Sequence, residues 1–311
     1  VISLMKKKIL IIGYSSFVRR RIIKSLSKIK NLEIYICSKS NKIDKKKRIF
    51  FNDYKKTLNK NTFDFIYISL INSLHFKYAK IALNHGHNVI VDKPITLSFK
   101  QTNELLKIAK RKKVLLCELM IFNYHKVYKK IMEIIGGPKK LESILANFNI
   151  PLTKKIKEIS KIKGGCNFDM GPYAAAIIRL FFENSIDNFL ILKNNFNGSS
   201  DKIIKDFSLL SKHKSKNFYA NFGMAKEYIS EIIFFGSGKI IKVPFQAFAL
   251  PSHKKIKIDI KSKNRIHSIS IKDDYIKRFF QGLISSKINF NYYYEMISAD
   301  NKLKKKLKLF N

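Results

Sequence analysis

The sequence predicts an α/β protein: an N-terminal doubly wound parallel sheet, then an α+β half built on a mostly antiparallel open sheet. Three observations carry this expectation. Over roughly the first 120 residues short apolar runs alternate with amphipathic stretches, the pattern of parallel strands joined by helical crossovers. From Ile203 onward the chain is mostly extended, with Phe218 to Met224, Tyr228 to Phe235, the Gly236-Ser237-Gly238 turn and Lys239 to Val243 in close succession. A length of 311 residues suits two domains better than one. Composition shifts after Tyr124, so the domains are expected over residues 5–122 and 123–311.

The first strand, Ile9 to Ile12, ends at Gly13, and Ile22, Ile23, Leu26 and Ile29 then recur at helical spacing. Strand, glycine turn and helix open a nucleotide-binding unit, in which helix N-terminal amides meet phosphate; a plain β-turn-α unit reads the same way. The dinucleotide fingerprint asks for three glycines here. Only Gly13 is present, with Ser15 and Val18 at the second and third places. The next strand, Glu33 to Cys37, ends in Ser38-Lys39-Ser40. In NAD-preferring domains a carboxylate about twenty or more positions past the glycines binds the ribose hydroxyls. A cation between two hydroxyls suits a 2′-phosphate instead, so NADP is the expected cofactor and NAD the alternative. The competing reading is that Lys39 simply joins the basic loop Lys42 to Arg48.

Phe63 to Leu70 is another apolar strand, followed by Asn72 and His75 at a strand-to-helix corner and a helix through Ala82 that closes at Asn84-His85-Gly86. A histidine at such a corner serves a ligand or the fold itself. Val89 to Val91 is the strand around which the rest is organised, because it runs straight into Asp92-Lys93-Pro94. Parallel strands deliver their C-terminal ends to the ligand crevice. Proline restricts the preceding residue to extended geometry and admits a cis bond, which aims the Lys93 ammonium in a set direction. Thr96-Leu97-Ser98 then precedes an amphipathic helix through Arg111 and the strand Val114 to Cys117.

In the second half, a helix from about Val127 to Ile135 stops at Gly136-Gly137-Pro138, and Leu141 to Ile150 forms a long strand. Gly164-Gly165 opens a helix to Phe182 that carries Asp169 and Tyr173 four residues apart, on one face. The glycine pair permits close backbone approach to a ligand. Asp169 also reads as a helix cap or dipole partner, and Tyr173 as an amphipathic core-edge residue. Asp273 to Ile284 and Glu295 to Leu309 return to helix.

Composition excludes several classes. The net charge is +40, yet only eight of the 62 basic residues are arginine and the lysines are spread over the whole length. A nucleic-acid reader gathers its charge on one face, with arginine where bases are read, so the charge predicts salt-sensitive, non-specific polyanion binding and no specific nucleic-acid partner. The three cysteines lack paired spacing, which argues against a disulfide framework or zinc knuckle and for a reducing compartment, the cytoplasm. The seven histidines lack partners at ligand spacing, so no metal is expected. No apolar run reaches membrane-span length. Lys6 to Lys8 with Ile9 to Ile12 mimics a signal peptide, but the apolar part is too short. Val1 to Leu4 receive no structural role.

Taken in order, these motifs resemble the glucose–fructose oxidoreductase, inositol dehydrogenase and MocA (Gfo/Idh/MocA) family of NAD(P)-dependent oxidoreductases. Asp92-Lys93-Pro94 matches its Glu-Lys-Pro signature with Asp for Glu, and Ile71 to His75 its Pro-Asn-x-x-His segment without the proline. Glu118 to His125 is similar to a stretch of the dihydrodiol and xylose dehydrogenase branch, with Asn123 in place of its arginine. Gly164-Gly165 through Asp169 to Tyr173 matches the second catalytic cluster, and Phe235 to Gly238 with Pro244-Phe245 the substrate-side sheet. The resemblance implies a Rossmann-like cofactor domain and a substrate-binding, oligomer-forming second domain. It implies hydride transfer between a nicotinamide and a hydroxyl or carbonyl carbon of a sugar, sugar nucleotide or related polyol. Lys93, Asp169 and Tyr173 would be catalytic, Tyr173 exchanging the proton while Lys93 supplies charge. Gly13, Ser15, Ser38, Lys39, Asn72, His75, Asp92 and Pro94 would form the cofactor site. A homo-oligomer through the C-terminal sheet is the implied assembly. The alternative is a retired member that binds nucleotide or sugar without turnover.

Overall fold

A computed structural model describes residues 6–39, 49–152, 164–197, 203–285 and 287–310. Ser40, the basic loop Lys42 to Arg48 and Val1 to Leu4 lie outside the described residues. The chain forms two compact units. One runs to Leu119 and takes back Ile276–Asn301; the other holds Met120–Tyr275 and Lys302–Phe310.

The first unit is built on six parallel strands: β1 (Lys7–Ile12), β2 (Leu32–Cys37), β3 (Ile49–Phe51), β4 (Phe65–Ile68), β5 (Asn88–Asp92) and β6 (Leu116–Leu119). Their order, β3-β2-β1-β4-β5-β6, turns around between β1 and β4 and so creates a switch point at those strand ends. Ile9 to Ile12, Phe65 to Ile68 and Val89 to Val91 are buried on both faces, which is why they read as unbroken apolar runs. Residues 16–26 are helical after β1, a wide π turn over Val18–Ile22 leading into α1 (Ile23–Leu26). In α2 (Tyr54–Lys60) the Asp53 side chain caps by accepting from the Lys56 amide. α3 (Asn72–Asn84) follows β4, and α4 (Phe99–Lys112) is capped by Ser98, which accepts from the Gln101 amide at 3.1 Å.

The second unit begins with a 3-10 turn at Ile121–Asn123 and α5 (Lys126–Ile135), capped by His125. Then come β7 (Leu141–Ile150), α6 (Cys166–Phe181), β8 (Asn188–Asn195), β9 (Ile204–His213), β10 (Lys216–Met224), β11 (Ile229–Gly236), β12 (Lys239–Val243), β13 (Lys255–Ser262) and β14 (Arg265–Lys272). The eight strands lie in the order β14-β13-β12-β11-β7-β10-β9-β8, all antiparallel except the β7–β10 pair. One face is core: Ile144, Phe207, Phe218, Phe222, Ile232 and Phe234 are fully buried. On the other, Leu145, Leu190, Leu210 and Tyr219 are exposed. Both halves of the expected fold class are present.

The helices α7 (Tyr275–Ser285) and α8 (Phe290–Lys306) depart from the expected division. A single cut at residue 122 would leave them with the second unit, yet Ile276–Asn301 groups with the first. The reason is hydrogen bonding to α4 and its exit. The Tyr294 hydroxyl lies against the carbonyls of Ala109 (3.2 Å) and Val114, and Asn301 Nδ2 donates to Phe99 O at 3.2 Å. α8 also starts before the expected Glu295, since Asn289 Oδ1 accepts from the Tyr292 amide.

Candidate active site

The first unit gathers its expected residues at the C-terminal ends of β1, β2, β4 and β5. Gly13 leaves β1 with φ +99°, and a Cβ there would stand 2.1 Å from the Ser69 carbonyl oxygen, so only glycine lets β1 pass β4 at this height. Ser15 Oγ accepts from the Val18 amide at 3.1 Å and lies 3.1 Å from Ser69 Oγ. Ser69 donates to Asp92 Oδ2, and Tyr67 donates to Asp92 Oδ1. Burial pushes the Asp92 carboxyl up; the Ser69 and Tyr67 hydrogen bonds, then the charges of His75 and Lys93, pull it back.

Lys93 is half-buried, the Lys93–Pro94 peptide is cis, and Pro94 is buried. The turn is pinned on both sides. His75 Nδ1 is 2.8 Å from Pro94 O and its Nε2 is 3.0 Å from Leu70 O. The Ile95 amide donates to Glu118 Oε1 at 2.7 Å, and Glu118 is buried within β6. His75 is fully buried with both ring nitrogens engaged, which leaves it no atom for a ligand; it acts on the Pro94 carbonyl instead. Asp92 is likewise occupied by protein hydroxyls. Both were expected at the cofactor; within the protein, His75 meets the Pro94 and Leu70 carbonyls and Asp92 the hydroxyls of Ser69 and Tyr67.

At the end of β2, Ser38 is buried and Lys39 exposed. Lys39 Nζ stands 5.8 Å from the Tyr54 ring centroid, and its amide donates to the Tyr54 hydroxyl at 3.4 Å. Asn72 opens α3 half-buried. The helix following Gly13 has no acid in its first turn and carries Arg19, Arg20 and Arg21. An anionic cofactor with an extra phosphate on its ribose fits such a set: helix amides and arginines at one strand end, Lys39 at the next.

In the second unit, Gly165 caps α6 with φ +147°, where a Cβ would meet Asn167 Oδ1 at 2.8 Å. Asp169 lies in the first turn of α6, where a carboxylate is favoured by the helix dipole. Tyr173, 8% exposed, stands edge-on to three rings: Phe122 at 5.8 Å, Phe148 at 5.7 Å and Phe248 at 5.4 Å. Beside them Tyr128 donates its hydroxyl to Ala247 O; burial, then the Tyr173 phenol, pushes the Tyr128 phenol well up. Arg179, one helix away from the expected pattern, donates to Asn123 Oδ1, the residue that replaces an arginine of the related branch.

Sequence reasoning missed Tyr67, Ser69, Glu118 and Phe248. Glu118 alone left a signal, an acid inside the apolar strand Leu116–Leu119. Among the described residues no group of three or more His, Cys, Asp or Glu side chains is placed to hold a metal ion.

Comparison with known proteins agrees with this picture. Residues 7–119 match the Gfo/Idh/MocA model, an oxidoreductase family with an NAD-binding Rossmann fold. A dTDP-3,4-didehydro-2,6-dideoxy-alpha-D-glucose 3-reductase of Actinomadura kijaniata is 25% identical over 188 residues, 59% of this chain and 56% of that protein. The D-xylose 1-dehydrogenase (NADP(+)) 2 of Haloferax volcanii is 27% identical over 135 residues, 42% of each chain. The chain thus spans about half the length of these curated relatives (56% and 42%). In fold, the 3-ketoreductase KijD10 of Actinomadura kijaniata, crystallised with NADP and TDP-benzene, matches with a TM-score of 0.86 over 97% of both chains at 20% identity. Over residues 7–119, the chain is similar to the Gfo/Idh/MocA oxidoreductase family.

Proposed function

We propose that the protein is an NADP-dependent oxidoreductase that moves a hydride between the nicotinamide and a hydroxyl or carbonyl carbon of a sugar, sugar nucleotide or related polyol. The observation that carries this reading is the Lys93 turn: a cation at the end of a buried parallel strand, its following peptide fixed by His75 and Glu118. The relatives support the substrate class, since those named act on a dTDP-sugar and on xylose. Gly13, Ser15, Asn72 and Pro94 would line the pyrophosphate and nicotinamide ends, and Ser38 with Lys39 the ribose phosphate. NADP when bound supplies the hydride acceptor or donor.

The chain's own residues would handle the proton. On oxidation the substrate hydroxyl proton passes to the Tyr173 oxygen; on reduction the phenol returns it. A free phenol titrates near 10, too high for a base at neutral pH, so a cation must favour its anion, the role proposed for Lys93. Asp169 orients substrate or lysine. Nicotinamide fluorescence titration tests the reading: NADPH is expected to bind more tightly than NADH. Tighter NADH binding would reverse the cofactor assignment, and binding without turnover on any sugar would select the retired-member alternative, which the replaced glycines favour.

For assembly we propose a homodimer through the open sheet face. Leu190, Leu210, Tyr219 and Leu145 stand opposite one another across β8, β9, β10 and β7 and are 53%, 44%, 42% and 37% exposed. An apolar row of that width is what an isologous interface covers. Tyr219→Lys is expected to convert a dimer to a monomer in sedimentation; a wild-type monomer would remove the proposal. No helix among the described residues is long and apolar enough to cross a membrane, and the cysteine pattern fits a reducing, cytoplasmic setting.

A further inference from the structure

One line of polar contacts in the first unit crosses three strand ends without a break, and its direction is fixed from both termini. The Val18 amide only donates, so Ser15 Oγ accepts from it at 3.1 Å and keeps its own hydrogen to give. Ser69 Oγ lies 3.1 Å further on. At the far end the Asp92 carboxylate only accepts: Ser69 donates to Oδ2 and Tyr67 to Oδ1. With Asp92 ionised every hydrogen has one place, running from Val18 to Ser15, Ser15 to Ser69, and Ser69 to Asp92. A glycine at position 15 would end the line at its first atom. Ser15 stands where the dinucleotide fingerprint has its second glycine, so the departure from the fingerprint and the existence of the line are one fact.

We propose that Ser69 is a positioning residue that joins the phosphate-side turn at Ser15 to the lysine-bearing turn at Asp92-Lys93-Pro94, holding both in one hydrogen-bonded register. The proposal rests on the NADP reading above. Linked hydrogen bonds polarise one another, so the Asp92 charge reaches Ser15 through the middle hydroxyl. The two hydroxyls donate to the carboxylate, and through Ser69 it orients the loop ahead of the helix. Were Ser15 only a helix cap, the losses of Ser15→Ala and Ser69→Ala would be independent.

The test uses the whole chain and NADPH fluorescence. Ser69→Ala is expected to weaken NADPH about five- to tenfold, the loss of a buried hydrogen-bond link, whereas Ser69→Thr, which keeps the hydroxyl, stays within about twofold. Ser15→Ala and Asp92→Asn, joined only through Ser69, should each weaken binding, with losses that do not multiply in the double variant. On the Ser69→Ala background, Ser15→Ala should cost less than it does in the wild type. Wild-type affinity in Ser69→Ala, or losses that multiply, overturns the proposal. A wild-type chain that bound no NADPH would instead fell the NADP reading. The same variants are then followed by thermal unfolding: Tm changes of Ser15→Ala and Asp92→Asn that are non-additive only while Ser69 is present support the line, and additive changes throughout refute it.

Discussion

Lys93 and Tyr173 are held by different forces. The lysine turn is fixed by directional hydrogen bonds from buried groups, His75 on Pro94 O and Glu118 on the Ile95 amide, with Asp92 gripped by Ser69 and Tyr67. The tyrosine is fixed by ring edges and faces, with Phe148 and Phe248 stacked at 4.8 Å and 6° beside it. A hydrogen-bonded frame fails sharply, because removing one partner strands another buried polar group. It also answers to pH, since some of its members titrate. A ring frame fails in proportion to the volume lost and is indifferent to pH. The phenol proposed to exchange the proton sits in the indifferent frame, and the charge proposed to help it sits in the responsive one.

Removing the functional atoms while sparing both frames gives the largest expected effect. Lys93→Met and Tyr173→Phe should each lower turnover about 10²- to 10⁴-fold while NADPH affinity in fluorescence titration stays nearly unchanged. Full turnover in either would take that residue out of the mechanism. Breaking the ring frame comes next. Phe248→Ala is expected to cost about 3–4 kcal/mol in denaturant unfolding, equally at pH 6 and pH 8; a cost that varied with pH would erase the contrast drawn here.

Asp92→Asn sharpens the other side. The folded Asp92 carboxyl titrates above its ordinary value, so its contribution to stability is present below the unfolded value and lost as pH rises through the folded one. Ionising this carboxyl is therefore a burden on the fold. Relative to wild type, the Asn variant should gain stability as pH rises and lose it as pH falls, and it should bind NADPH less well. The smallest effect belongs to exposed Glu183 in the second unit, held at about 2 by hydrogen bonds from Lys214 and Lys216. Its contribution is present above the ordinary value of 4.5 and fades as pH drops toward 2. Acid unfolding of Glu183→Gln should be slightly flatter across that window, as read by circular dichroism.

Much of this was legible in the residues. Unbroken β-branched runs marked the buried strands, Leu141 to Ile150 came out with its bounds intact, and a proline after a strand-end lysine singled out Lys93. Asp169 and Tyr173 share one helix, as their spacing implied. What stayed hidden depends on neighbours distant in sequence. Ser69 and Tyr67 face Asp92 only because β4 pairs with β5, and no pattern within a strand records its partner's side chains. His75 was placed at the right corner, but its contacts with the Pro94 and Leu70 carbonyls were not legible, since a ring at a helix start points inward or outward by packing alone. An amphipathic pattern showed that α8 buries one face but not that Tyr294 would find the carbonyls ending α4. β8, with alternate residues only half covered, lacked the apolar contrast that reveals a strand.

Hydride transfer is the activity proposed for this chain, and isotope transfer measures it directly. The whole protein is incubated with NADPH carrying deuterium on the transferable C4 face and with a panel of keto sugars and dTDP-keto sugars, and the products are weighed by mass spectrometry. A product heavier by one deuterium is expected from wild type and should be nearly absent from Lys93→Met and Tyr173→Phe. Tight NADPH binding with no deuterium in any product would contradict the proposed activity.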